Sequence, residues 1–141
     1  MRAVILSSIV FYCLTASYLA HAEHVVIVSA NNTNNSLDKN TITRIFLGKA
    51  SSFPDGSQAI PLDQNEGSAS REAFNDQVLE KSASQLKAYW SRLIFTGKGT
   101  PPKESGSDSD VKSLIANNPN LLGYVDNSVV DDSVKVVYRF N

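Results

Sequence analysis

The sequence predicts a three-layer α/β/α single domain, and three observations carry that prediction. Val25 to Val28 is an unbroken aliphatic run, the pattern of a strand covered on both faces. Further strand-like segments alternate with amphipathic helical ones, which places helices against a sheet. The chain of 141 residues is long enough for one hydrophobic core and short for two.

The first residues read as a leader. Arg2 supplies a positive start, Ala3 to Leu19 is mostly apolar, and Ala20-His21-Ala22 has the small-x-small form of a cleavage site. We therefore divide the chain into a signal peptide, 1–22, and a domain, 23–141, and expect a periplasmic or secreted protein. A membrane helix is the competing reading. The apolar run is short and broken by Ser7, Ser8, Thr15 and Ser17, and no second hydrophobic stretch follows, so no stable membrane anchor is expected. Cys13 lies inside the leader without the small residues that precede a lipid-modified cysteine.

Composition narrows the chemistry. Cys13 is the only cysteine, and the two histidines are His21, in the leader, and His24, expected to be mobile near the start of the domain. Metal sites, a Cys nucleophile and His-based acid/base catalysis therefore have almost nothing to work with, and no cofactor is indicated. Lys and Arg number 13 against 14 Asp and Glu, a formal net charge of −1. With no basic run to follow a phosphate backbone, nucleic acid is not the expected partner.

Taken in order, Val25 to Val28 reads as a central parallel strand. It ends in Ser29-Ala30-Asn31-Asn32-Thr33-Asn34-Asn35-Ser36, where Ser29 and Asn31 could line a site at the carboxyl end of the strand; these residues are also ordinary turn formers. Leu37 to Leu47 has Ile42, Ile45 and Phe46 at helical spacing and Gly48 as a left-handed stop. Pro54-Asp55-Gly56 turns the chain into a short strand, Ala59 to Leu62.

Gly67-Ser68-Ala69-Ser70-Arg71 then opens a helix carrying Phe74 and Val78. The first amides of a helix have no intrahelical partner, so small hydroxyl residues there can receive an anion. Ser68 or Ser70 can equally serve as a plain N-cap. Ser82-Ala83-Ser84-Gln85 has capping-box spacing. The helix it starts puts Leu86, Tyr89, Trp90, Leu93 and Ile94 on one face, which reads as core. Gly97 to Gly106, with Pro101-Pro102, is a semi-rigid loop that could form a rim. Ser107-Asp108-Ser109-Asp110 caps a helix with Val111, Leu114 and Ile115. Calcium at Asp108 and Asp110 is not expected, because the liganding pattern of calcium loops does not follow. Leu121 to Val125 and Val134 to Phe140 are the last strands.

These pieces, in order, resemble the phosphate-type substrate-binding proteins of ABC transporters, which have the type 2 periplasmic-binding-protein fold. The matching stretches are Ile45-Phe46-Leu47-Gly48-Lys49, Pro54-Asp55-Gly56 with Ile60-Pro61, Gly67-Ser68-Ala69-Ser70-Arg71 with Phe74, Ala88-Tyr89-Trp90, Phe95-Thr96-Gly97-Lys98 and Leu122-Gly123-Tyr124-Val125. The resemblance implies one lobe of that two-lobed fold. In the family the turn reads Arg-x-Asp-Gly-Ser-Gly-Thr and holds phosphate. Its Ser falls on Ser68, its Thr on Ser70, its Arg on Gln64, its Asp on Glu66 and its middle Gly on Ala69. Arg71 stands beside the turn as another source of positive charge.

The resemblance implies a solute-binding protein that takes phosphate or a similar small oxyanion at Ser68, Ala69, Ser70 and Arg71, with Ser29 or Asn31 opposite, for transport or sensing. The alternative is an interaction protein that keeps the fold without the ligand, as an accessory to an envelope transporter or sensor. Self-association would be a further way to complete half a cleft. An enzyme is not expected, since Ser68 and Ser70 lack a base of the usual kind.

Overall fold

The computed structural model describes residues 22–141. The expected signal peptide therefore lies almost wholly outside the described residues. Five strands form one mixed sheet in the order β3-β2-β4-β1-β5, comprising β1 (His24–Ser29), β2 (Ile60–Asp63), β3 (Lys103–Glu104), β4 (Leu121–Asp126) and β5 (Val134–Phe140). Among the described residues there are four α-helices, α1 (Lys39–Phe46), α2 (Ala69–Phe74), α3 (Ala83–Phe95) and α4 (Asp108–Ala116), of which α1, α2 and α4 pack on the sheet. β2 runs parallel to β3 and β4, whereas β1 is antiparallel to both β4 and β5.

The three layers form because successive residues of a strand face opposite ways. On one face Val26, Val28, Leu122 and Tyr124 pack with Ile42, Ile45 and Phe46 of α1, Phe74 of α2 and Val78 beyond it. On the other, Val25, Ile27, Leu62 and Val125 meet Val111 and Ile115 of α4. All of Val25 to Val28 is buried for that reason. The expectation of a parallel β1 was wrong: an unbroken apolar run reports that both faces are covered and carries no information about strand direction. His24 is likewise buried and stacks on Phe140 at 5.7 Å rather than being mobile.

Local caps set the helix boundaries. Asp38 caps α1 by accepting from the Thr41 amide at 2.7 Å, and Ser82 with Gln85 closes a capping box on α3. Ser107 with Asp110 does the same on α4. After α2 the chain continues as a π-helical turn, Asn75–Leu79, that ends at Glu80 in a left-handed conformation. Gly123 lets α4 lie close on β4, since a Cβ there would come within 2.8 Å of Val111 Cγ1.

The α3 face read as core is only half covered. Tyr89 packs on α1 and donates to the Leu47 carbonyl at 2.6 Å, and the Trp90 ring lies over Gly48. Ile94, however, is 54% exposed, and Phe95, beside that face, is 93% exposed. Helical spacing predicts an apolar face but does not supply a neighbour to bury it.

Candidate functional site

The turn that opens α2 follows directly from β2, at the end of the sheet where β2 and β4 finish. Ser68 is the N-cap: its Oγ accepts from the Arg71 amide at 3.1 Å and donates to Gln64 Oε1 at 3.0 Å. Ser70 is buried, and its Oγ donates to Asp108 Oδ1 at 2.7 Å. Ala69 is exposed on the outer side of the same turn.

Gln64 holds this region together from inside. Its Nε2 donates to Asp108 Oδ1 at 2.7 Å and to the Tyr124 carbonyl at 2.8 Å, and its amide donates to the Tyr124 hydroxyl at 3.1 Å. The Asp126 amide adds a further bond to Asp108 Oδ1 at 2.9 Å. An uncharged side chain suits this place, because burying a cation costs far more than burying an amide whose groups are all bonded.

Arg71 does not reach the turn as a free cation. Its Nη1 donates to Glu104 Oε1 at 2.6 Å and to the Gln64 carbonyl at 2.9 Å, and its Nη2 lies 3.4 Å from Asp63 Oδ2. Burial disfavours the guanidinium charge, but Asp63 and Glu104 outweigh it and raise the Arg71 pKa. Asp63 is held above the usual carboxylate range by burial, against the opposing pull of the Tyr124 hydroxyl, which donates to it, and of Arg71. Burial, together with Asp63, keeps that hydroxyl protonated. Glu104 also accepts from the Glu66 amide at 3.1 Å.

A groove of about 950 Å³ runs between α2 with its π turn and α3. Phe46, Phe74, Trp90 and Ile94 give it apolar walls, and Arg71 and Glu104 stand on its polar side. Pro101 and Pro102 do form part of its rim, and the loop that carries them also contributes β3, a strand too short to announce itself in sequence.

Ser29 and Asn31 are not opposite this turn. Ser29 pairs with Val134 at the far end of β1, accepts from the Asn31 amide at 3.2 Å and donates to the Ala116 carbonyl at 3.5 Å. His24, at the other end of β1, is the residue beside Asp126. The six residues of β1 separate the two places by about 17 Å at the usual rise per residue. Because β1 runs antiparallel to β4, its carboxyl end points away from the turn, and placing Ser29 and Asn31 across from Ser70 was an error of strand direction. The loop instead ties itself down, with Asn32 Nδ2 donating to the Pro119 carbonyl at 2.8 Å.

The sequence therefore located the turn but missed Asp108, Gln64, Tyr124, Asp63 and Glu104 as the groups that complete it. Two signals were available. A tyrosine in a buried strand needs a partner for its hydroxyl, and Asp108 is superfluous as a cap when Ser107 and Asp110 already serve. The side-chain donors of the turn are engaged within the chain, Ser68 by Gln64 Oε1 and Ser70 and Arg71 by carboxylates. Ser70 is buried against one of them, an arrangement poorly suited to a nucleophile. Among the described residues no His/Cys/Asp/Glu group is arranged to hold a metal ion, and no helix is long and apolar enough to cross a membrane.

Several solved structures share this architecture. A protein from Clostridium perfringens, described as a phosphate ABC transporter substrate-binding protein and solved with bound phosphate, superposes with a TM-score of 0.66 at 25% identity, over 82% of this chain and 45% of its own. An ABC-type phosphate transport receptor from Vibrio cholerae matches with a TM-score of 0.62 at 16% identity, over 82% of this chain and 47% of its own. PstS from Borrelia burgdorferi gives 0.61 at 11% identity with the same coverages, 82% and 47%. No family model and no curated protein matches the sequence. The structural neighbours are thus phosphate ABC transporter substrate-binding proteins, and this chain, spanning about half their length, has the fold of one lobe of a periplasmic binding protein.

Proposed function

We propose that this chain is an exported, solute-binding-like lobe that works as an interaction module of an envelope transporter or sensor rather than as a carrier of free phosphate. The observation that supports it is the engagement of the turn's side-chain donors by internal acceptors. Ser70 and Gln64 are bound to Asp108, and Arg71 to Asp63 and Glu104. An incoming oxyanion would have to displace Asp108 from Ser70 and compete with Asp63 and Glu104 for Arg71. Like charges at such range oppose binding unless they are neutralised. The test is a thermal-melt series on anion-stripped protein with phosphate, sulfate and chloride at matched ionic strength. The expected outcome is no selective rise at millimolar anion, together with cross-linking of the protein to a transporter or sensor component of its own envelope. A phosphate-selective rise, saturating at millimolar concentration or below, overturns this reading.

One observation favours a second reading, binding of phosphate or a similar small oxyanion at Ser68, Ala69, Ser70 and Arg71. The structural neighbour solved with phosphate is also 25% identical, and both hydroxyls of the turn are kept. Under this reading the phosphate rise occurs and Ser70→Asp abolishes it. Persistence of the rise in that variant sinks the assignment of the site.

A further inference from the structure

Three donors from three separate elements meet on one oxygen. Gln64 Nε2, beyond β2, Ser70 Oγ, in the first turn of α2, and the amide of Asp126, at the end of β4, reach Asp108 Oδ1 from 2.7, 2.7 and 2.9 Å. Gln64 is 1% exposed and Ser70 2% exposed, so neither can turn to water without opening the fold. The acceptor comes from a fourth element, α4, which has no local need of it. Ser107 caps that helix and Asp110 closes the box on the Ser107 amide at 2.9 Å. A side-chain amide, a hydroxyl and a backbone N–H aimed at one point form a donor set for an oxyanion, and they carry no charge of their own to reject or select beyond that.

We infer that Gln64, Ser70 and the Asp126 amide form an oxyanion cradle whose ligand is the chain's own Asp108 carboxylate, and that the cradle takes a free small carboxylate once Asp108 is shortened. This deepens the reading of an internally satisfied turn by naming the residue that closes it and the ligand class it excludes. The space vacated by Asp108→Ala is that of one carboxylate group, which suits formate or acetate. The donors left behind are buried and lose their acceptor, so they favour any anion that can restore it.

The experiment is chemical rescue. Purified wild-type and Asp108→Ala proteins are melted in sodium formate, acetate and chloride at equal ionic strength and neutral pH. The wild-type protein is expected to melt alike in all three. Asp108→Ala is expected to melt lower in chloride and to recover by several degrees in formate or acetate, saturably with concentration. Adding Ser70→Ala should weaken the apparent affinity for the rescuing anion about tenfold, as expected for one lost charge-assisted bond. Asp108→Asn, which keeps a carbonyl oxygen for the donors, should melt closer to wild type and show no formate-specific rise. Absence of selective rescue in Asp108→Ala, whether the protein is folded or unfolded in chloride, overturns the inference, as does rescue that Ser70→Ala leaves unchanged. A phosphate-selective rise in the wild-type protein overturns the interaction reading instead, so the two failures are distinguishable.

Discussion

Replacing Gln64 with leucine removes the centre of the polar network without leaving a cavity, because the two side chains are of similar volume. The variant loses the bond to the Asp108 carboxylate, the bond to the Tyr124 carbonyl and the bond accepted from Ser68. A bond to a charged group contributes about 1.5–3 kcal/mol and a neutral one about 1, with a further penalty for the buried Tyr124 carbonyl left without a partner. Since neighbouring terms do not add fully, the expected loss is about 4 kcal/mol, a large part of the 5–15 kcal/mol typical of a domain. With an unfolding entropy of about 2.1 cal/mol/K per residue over about 120 residues, the melting temperature should fall by about 16 °C. Urea unfolding followed by circular dichroism measures the loss directly, and an unchanged slope would show that both end states are preserved. A loss under about 1 kcal/mol would mean that the buried network contributes little net stability and that Gln64 does not hold the turn together.

Three other outcomes follow from the same contacts. Tyr124→Phe keeps the stacking on Phe74, at 4.2 Å, but removes the hydroxyl's bonds to Asp63 and to the Gln64 amide, leaving those two only their 3.2 Å bond to each other and the Arg71 contact to Asp63; it should cost about 1–3 kcal/mol by urea unfolding, and a neutral result would refute the role given to the hydroxyl. Arg71→Met should be more harmful at pH 7 than at pH 4. The folded-state pKa of Asp63 is raised, so its contribution is complete below the ordinary value and lost as pH rises through the folded one, and removing Arg71 raises it further; equal losses at the two pH values would contradict this. Gly123→Ala should cost about 1–3 kcal/mol by overpacking, because its Cβ would fall 2.8 Å from Val111 Cγ1 and 3.0 Å from Ile115 Cδ1; a melt unchanged from wild type would show that α4 shifts freely.

Most of the fold was legible because it is written in short-range terms. The caps Ser82 and Ser107, the stop at Gly48, the turn at Pro54-Asp55-Gly56 and the strand Val134–Phe140 each follow from a few adjacent residues. The turn at Ser68 was visible for the same reason, and its N-cap resolved to Ser68 rather than Ser70. The occupant of that turn was not legible, since Asp108 is 38 residues from Ser70 and 44 from Gln64 and nothing local to it marks the distant donors.

By itself the sequence determined every strand but β3 and the places of the helices, which faces are apolar, and that hydroxyls gather at the start of α2, because periodicity and capping act over one or two turns. Only the tertiary structure decided the direction of β1, and with it the separation of Ser29 and Asn31 from the turn. It also decided that Ile94 and Phe95 of α3 stay exposed and that carboxylates from β2, β3 and α4 engage Ser70 and Arg71 of α2. Each of those outcomes depends on how elements far apart in the chain are brought together, and buried polar groups there are bonded by whatever partners the packing supplies, whatever the local pattern suggests.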